Sequence, residues 1–405
     1  MKCGLLGRTL SHSYSPLIHS NFGNYSYVLF EKEPEELEDF LRFGDFQGLN
    51  VTMPYKKDVI PYLDQISETA QKLGAVNTII KSKDGKLVGH NTDYYGFYSM
   101  VQKSGLDVRG KKVLVLGSGG AAVTVVTVLR ELSANVIMVS RTGENNYHNL
   151  NQHTDASVIV NATPVGMYPN TGVSSIDLML FPALEGVLDI VYNPARTQLL
   201  LDAENMGLIT ENGLWMLIAQ AKESAEWFLN ASLPDNDIPR VYQILKSKME
   251  NIVLIGMPGC GKSTVGKHLS EIMGKKFVDT DFEIEKTAGI SIPEIFVQFG
   301  EEGFRKIETE VLKSIGKESG LIIATGGGCV TKEVNYPLLH QNGRIIWLQR
   351  DLRLLPTDGR PLSQTASLLN MYQVREPMYR AFADHIIPND ATPQKAAEAI
   401  LSLED

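Results

Sequence analysis

Apolar positions in this chain fall into short unbroken runs, each ending in a polar or glycine-rich loop. Val113–Leu116, Val158–Val160, Ile252–Ile255 and Leu321–Ala324 are such runs. Runs of this length without alternation predict strands buried on both faces, as in parallel sheets covered by helices. Helical stretches lie between them. One runs through Leu132, one opens at Glu211–Gly213 and continues through Ala221, and one runs from a Pro234-Asp235-Asn236-Asp237 cap to about Met249. Others follow Lys262 and cover Gly303–Glu308. In the first hundred residues, shorter strands are predicted at Lys2–Leu6, before Thr52, from Val76 to Ile80 and at Leu87–His90, with Pro16 in the first turn of a helix. The order of elements predicts an α/β chain.

Length and charge narrow this. At 405 residues, two or three domains are expected. The chain is 43% apolar and 21% charged, which is ordinary for a globular protein, and its net charge of −9 comes without a basic block, so nucleic acid is not an expected partner. Cys3, Cys260 and Cys329 lack metal-ligand spacing and fit a reducing cytoplasm. The first residues carry too short an apolar run for a secretion signal, and no stretch reaches membrane length.

The most informative segment is Ile252 to Ser270. A β-branched run leads into Gly256-Met257-Pro258-Gly259-Cys260-Gly261-Lys262-Ser263, and a helix starts at once with Thr264. This is the G-x-x-x-x-G-K-[ST] arrangement. Its backbone N–H groups curl around phosphate, Lys262 reaches the terminal phosphates and the Ser263 hydroxyl can ligate Mg²⁺. ATP or GTP is therefore expected here. Downstream, Asp279 and Asp281 stand one residue apart at a strand end, where alternation predicts that both point the same way. One suits Mg²⁺ and the other an acceptor hydroxyl. Gly326-Gly327-Gly328 closes another strand, where missing side chains let a ligand approach the backbone.

A second glycine turn, Gly117-Ser118-Gly119-Gly120-Ala121, follows the run at 112–116 and opens a helix, which predicts a dinucleotide site. After the next strand comes Ser140-Arg141-Thr142. An arginine where NAD-binding folds carry an acid suits a 2′-phosphate, so NADP(H) is expected.

Two family resemblances organise these signals. Ser13-x-Ser15-Pro16, Asn50-Val51-Thr52-x-Pro54-x-Lys56, Gly74-Ala75-Val76-Asn77-Thr78 and Asn91-Thr92-Asp93 resemble the substrate domain of shikimate dehydrogenase, and the pattern continues through Asn161–Pro164, Asp189–Pro194 and Gly213–Ala221. The resemblance implies that Ser13, Ser15, Thr52, Asn77, Asp93, Tyr192 and Gln220 hold the substrate, that Lys56 is the catalytic lysine paired with Asp93, and that Gly213 approaches the nicotinamide. Trp215 stands where a small residue is expected and would reshape that pocket. Residues 251–390 resemble shikimate kinase. This implies Mg²⁺ at Ser263 and Asp279, shikimate at Asp281, Arg305, Gly327 and Arg375, and Arg360 on a lid over the phosphates. The segment between Leu348 and Arg360 is shorter than that family's helix plus lid, which predicts leaky hydrolysis or altered nucleotide affinity.

The expected architecture is a two-lobed dehydrogenase followed by a P-loop kinase domain: residues 1–104 with 221–249 as the substrate lobe, 105–220 as a Rossmann lobe and 250–405 as the kinase. The expected partners are 3-dehydroshikimate and shikimate. The alternatives are a quinate-type preference, or a regulatory protein with one silent half. Lys56, Asp93, Lys262 and Asp281 are all present, which argues against a silent half.

Overall fold

The computed structural model describes residues 1–10, 13–355 and 365–404. The chain divides into two compact units. The first comprises Met1–Val165, Ser174–Tyr192 and Asp202–Leu245, and the second Gly166–Val173, Asn193–Leu201 and Lys246–Asp405.

The first unit holds two sheets. One contains β1 (Lys2–Gly7), β2 (Ser26–Glu31), β3 (Gly48–Val51), β4 (Gln65–Ile66), β5 (Thr78–Lys81) and β6 (Leu87–His90), in the order β2-β1-β3-β5-β6-β4. Strand β5 runs antiparallel to β3 and β6. Its first residue therefore lies beside the last residues of its neighbours: Thr78 pairs with Asn50 and with His90. This inversion gathers Thr52, Asn77 and Asp93 at one edge, although Asn77 precedes a strand and the other two follow one.

The second sheet is parallel throughout. It contains β7 (Lys112–Leu116), β8 (Asn135–Val139), β9 (Val158–Asn161), β10 (Gly186–Asp189) and β11 (Ile209–Asn212), ordered β11-β10-β9-β7-β8. Val113 to Leu116 are fully buried, as their unbroken apolar run predicts. The strand order reverses beside β7, and ligand crevices of doubly wound sheets open where it reverses. Glu211 and Asn212 end an edge strand, and the helix begins only at Leu214. This corrects the expectation that the helix opens at those two residues.

The second unit carries a parallel sheet of β12 (Asn251–Ile255), β13 (Lys276–Asp279), β14 (Leu321–Ala324), β15 (Gly343–Gln349) and β16 (His385–Pro388), ordered β13-β14-β12-β15-β16. The phosphate-loop strand β12 is central, and all five of its residues are buried. Strands β15 and β16 go beyond the elements expected from the sequence. No described helix is long and apolar enough to cross a membrane.

Candidate active sites

A cavity of about 530 Å³ opens in the first unit. Ser13, Ser15, Thr52, Lys56, Asn77, Asp93, Tyr192 and Gln220 all line it, although they come from segments spread over two hundred residues. Lys56 sits in the turn after β3, where its carbonyl accepts from Val76 N at 2.8 Å. Its ammonium donates to Asp93 Oδ2 at 2.6 Å, and Asp93 Oδ1 accepts from Asn77 Nδ2 at 2.9 Å. Asp93 is the first residue of the helix Asp93–Ser104, where the helix dipole favours a carboxylate. Ser13 does not cap the helix after it in the usual way; its hydroxyl accepts from Ser15 N at 3.2 Å.

The opposite wall is Gly120, Ala121 and Thr124 of the helix Gly120–Glu131, with Ile190 and Gly213. A Cβ on Gly119 or Gly120 would meet nothing within 4 Å, so this helix N-terminus is open to an approaching anion. Gly117 has φ 116°, and a Cβ there would come within 2.9 Å of the Ala162 carbonyl. Gly117 N donates to Val139 O at 2.8 Å, which ties the glycine turn to the end of β8, where Ser140, Arg141 and Thr142 follow. Arg141 and Thr142 are exposed. Gly117, Ser118, Gly119 and residues 140–142 do not line the cavity but lie along this same sheet edge.

Gly213 lines the cavity for a reason the sequence did not show: a Cβ would stand 2.0 Å from the Ile190 carbonyl, so its backbone packs where only glycine fits. The expectation about Trp215 is overturned. Its helix turns Met216, Leu217 and Gln220 to the cavity, whereas Trp215 donates from Nε1 to Ser99 Oγ at 2.9 Å and packs at a tilt against Tyr242, with ring centroids 5.6 Å apart. Residues three, four and seven positions past Gly213 share its face, and residue 215 does not.

A second cavity, of about 510 Å³, lies in the second unit. Gly259, Gly261, Lys262, Ser263, Thr264, Asp279, Asp281, Arg305, Gly327 and Arg375 all line it. Gly256, Gly259 and Gly261 have φ of 142°, 81° and 100°, the left-handed region that a phosphate loop needs. Lys262 Nζ donates to the carbonyls of Gly256 and Met257 at 2.9 and 3.0 Å. Cys260 is fully buried and does not line this cavity. Arg360 lies outside the described residues.

Ser263 Oγ donates to Asp279 Oδ2 at 2.7 Å. Asp279 caps the helix Thr280–Ala288 by accepting from Asp281 N at 3.1 Å. The two acids therefore share the cavity through helix-cap geometry, not through strand alternation as the spacing suggested. Withdrawal from solvent, with the Asp279 charge beside it, raises the Asp281 carboxyl above its ordinary range.

The three glycines after β14 are short of room for a different reason from the one expected. A Cβ on Gly326 would sit 2.8 Å from Asp281 Oδ1, one on Gly327 2.6 Å from Pro258 Cδ, and one on Gly328 2.1 Å from Arg305 Nη2. Their missing side chains make room for the protein's own groups. Arg375 Nη1 donates to Gly327 O at 3.1 Å, and the Tyr379 hydroxyl donates to the same oxygen.

Glu308 was not singled out from the sequence. It is fully buried, and Arg305 Nη1 donates to its Oε2 at 2.7 Å. Its signal was the three-residue spacing from Arg305 on one helix face. Burial pushes the Glu308 carboxyl up against the pull of Arg305.

A family model described as the shikimate dehydrogenase substrate binding domain matches residues 5–79, and one described as shikimate kinase matches residues 258–404. The shikimate dehydrogenase (NADP(+)) of Clostridium perfringens strain SM101 is 36% identical over 267 residues, covering 60% of this chain and 98% of that protein. A chorismate mutase/shikimate 5-dehydrogenase fusion protein from Clostridium acetobutylicum superposes with a TM-score of 0.58 at 36% identity, covering 61% of this chain and 97% of that one. The chain belongs to the shikimate dehydrogenase family and carries a shikimate kinase domain at its C-terminal end. A shikimate 5-dehydrogenase from Thermus thermophilus, solved in complex with NADP(H) and shikimate, matches with a TM-score of 0.54 at 30% identity, over 60% of this chain and 99% of that one. The first cavity thus belongs to the dehydrogenase part and the second to the kinase domain.

Behind the dehydrogenase cavity runs a buried polar web whose pairings the sequence does not show. Tyr27 donates to Asn50 Oδ1 at 2.8 Å, Asn50 Nδ2 donates to Ser224 Oγ at 2.8 Å, and Thr92 N donates to Asn77 Oδ1 at 2.7 Å. Asn50, Thr78 and Thr92 stand within the motifs quoted above, whereas Tyr27 and Ser224 lie in an ordinary strand and helix whose local pattern marks neither.

Proposed function

We propose that the dehydrogenase part reduces 3-dehydroshikimate to shikimate with NADPH, and that the kinase domain then phosphorylates shikimate from MgATP to shikimate 3-phosphate. Residues 1–104 with 221–249 would form the substrate lobe, 105–220 the cofactor lobe and 250–405 the kinase. The observation that carries the reading is the Lys56–Asp93 pair at 2.6 Å in a cavity walled by Gly120, Ala121 and Gly213. A proton donor thus stands opposite an open helix N-terminus.

The residues present fit the cofactors. The open Gly119–Gly120 backbone suits a pyrophosphate, and exposed Arg141 after β8 suits a 2′-phosphate. Ser263 and Asp279 are oxygen donors 2.7 Å apart. Mg²⁺ is typically held by one or two protein oxygens with phosphate and water completing the shell, so the lack of a larger acidic cluster among the described residues suits it. NADPH supplies the hydride and MgATP the phosphoryl group when bound.

In the first site, Lys56 Nζ gives its proton to the ketone oxygen as that oxygen becomes a hydroxyl. Asp93, held by Asn77, keeps the ammonium aimed. Ser13, Ser15 and Thr52 offer hydroxyls to the substrate's carboxylate and hydroxyl groups, with Tyr192 and Gln220 closing the pocket. In the second site, Arg305 and Arg375 pair with the shikimate carboxylate, Lys262 steadies phosphoryl oxygens, and Asp281 orients the attacking hydroxyl and takes its hydrogen. The raised Asp281 carboxyl is a better proton acceptor than an ordinary aspartate.

The test is to incubate the full chain with 3-dehydroshikimate, NADPH, Mg²⁺ and ATP and follow NADPH oxidation and shikimate 3-phosphate together. Both signals are expected. Absence of NADPH oxidation from well-folded protein rejects the first half, and absence of shikimate 3-phosphate when shikimate itself is supplied rejects the second. Arg141→Asp should raise the NADPH KM by roughly 10-fold or more without raising that for NADH, as loss of a charge-assisted contact to a phosphate predicts.

A further inference from the structure

Ser224 lies on the helix Leu214–Leu229 and is fully buried. Its hydroxyl is 2.8 Å from Asn50 Nδ2, 2.9 Å from Thr78 Oγ1 and 2.9 Å from Thr92 Oγ1, and it donates to the Gln220 carbonyl at 2.9 Å. A hydroxyl has one hydrogen and two lone pairs. The hydrogen goes to Gln220, and Asn50 takes one lone pair. A single lone pair is left for two threonines, so only one of them donates to Ser224 while the other turns elsewhere.

Each threonine has other acceptors, among them the other threonine's hydroxyl at 3.3 Å. Thr78 can turn to Asn77 Oδ1 at 3.1 Å. Thr92 can turn to Asn77 Oδ1 at 3.2 Å or to Gln220 Oε1 at 3.4 Å. The shorter set has Thr92 donating to Ser224 and Thr78 donating to Asn77. In that set Asn77 Oδ1 accepts from Thr78 and from Thr92 N. Asn77 Nδ2 then gives its two hydrogens to Thr92 Oγ1 at 3.0 Å and to Asp93 Oδ1 at 2.9 Å. The Gln220 side-chain oxygen stays out of the web and is left to the cavity that Gln220 lines.

We propose that Ser224 is a positioning residue of the dehydrogenase: by accepting the Thr92 hydrogen, it fixes the donor pattern that aims the Asn77 amide at Asp93 and leaves Gln220 Oε1 to the substrate, while Gln220 Nε2 donates to Leu217 O at 2.8 Å. The inference rests on the dehydrogenase function proposed above. Without the Ser224 oxygen, the Thr92 hydrogen turns to Gln220 Oε1 or competes with Thr78 for Asn77. Either way, the substrate loses a preset partner.

The experiment measures Ser224→Ala in the full chain. The KM for 3-dehydroshikimate should rise roughly 10-fold, the effect of one or two redirected hydrogen bonds. The NADPH dissociation constant from fluorescence titration should stay the same. Thr92→Val removes the same hydrogen from the other end and also the acceptor of one Asn77 Nδ2 hydrogen, so it should give a rise at least as large, and the double variant should be no worse than Thr92→Val alone. An unchanged KM, a parallel loss of NADPH binding, or additive effects in the double variant would each overturn the proposal. If Ser224→Ala does not fold, as read by circular dichroism, Ser224→Cys, close in size but a weaker partner, carries the same comparison. Wild-type protein that fails to reduce the ketone would reject the dehydrogenase function instead. Wild-type turnover with unaltered variants rejects only the role of Ser224.

Discussion

Asp93 and Asp281 both stand in the first turn of a helix and line cavities of similar size, yet their surroundings differ in kind. Asp93 is braced by one ammonium and one amide, and behind them lies a web of neutral side chains drawn from strands β3 and β5, the Thr92 turn and a distant helix. Asp281 is set among charges and bare backbone: Asp279 beside it, Lys262 and Arg305 near it, and a glycine run packed against it. The difference follows the chemistry proposed for each site. Moving a proton to a defined ketone oxygen needs a donor held in one orientation, which a saturated hydrogen-bond web supplies. Holding phosphoryl oxygens needs positive potential and close backbone approach, which glycines and a helix N-terminus supply.

The largest test of this contrast removes each lysine. Lys56→Ala should lower ketone reduction by roughly 10²–10⁴-fold, the range for losing a general acid. Lys262→Ala should lower phosphorylation by on the order of 10³-fold, as for a lost transition-state donor. Each variant should leave the other reaction at its wild-type rate, measured on the same preparation. A variant that silences both would show that the two sites are not chemically separate.

Glycine substitutions sharpen the comparison. In Gly328→Ala the new Cβ would sit 2.1 Å from Arg305 Nη2, and that guanidinium is pinned by buried Glu308. The shikimate KM should rise by roughly 10-fold, from a displaced charge-assisted contact, and the ATP KM should stay put. Gly119→Ala meets nothing within 4 Å. Its stability should therefore change by less than about 0.5 kcal/mol, while the NADPH KM rises. A folding defect in Gly119→Ala would contradict the open loop.

Proton linkage gives two smaller effects. The Asp281 carboxyl is raised above the ordinary 3.8, so the kinase loses its ionised form at a higher pH than an ordinary aspartate would. The acid limb of the kinase kcat/KM profile should lie above pH 3.8 and disappear in Asp281→Asn along with the activity. Glu223, which no proposed step uses, is pushed up from 4.5 to about 8 by burial, with the charges of Glu226 and Asp93 adding and Lys222 opposing. The folded state therefore keeps a proton that the unfolded state releases between these values, and the contribution to stability falls as pH rises through that window. Glu223→Gln should gain in Tm relative to wild type on going from about pH 5 to about pH 8.5. A pH-independent difference would show that Glu223 is ordinarily ionised.

Much of this protein was legible in its residues alone. The phosphate loop, the glycine turn at 117–121, the buried parallel strands and the arginine at 141 are local signals, because glycine dihedrals, helix starts and apolar runs are decided within a few neighbouring residues. Only the tertiary structure decided which way side chains look and what they meet. It turned Trp215 away from the cavity, gave Gly213 and the glycines at 326–328 their steric reason, buried Glu308 behind Arg305, and brought Asn50, Thr78, Thr92 and Ser224 within hydrogen-bond reach. Those contacts join residues up to 174 positions apart, and no local pattern carries the packing that brings them together.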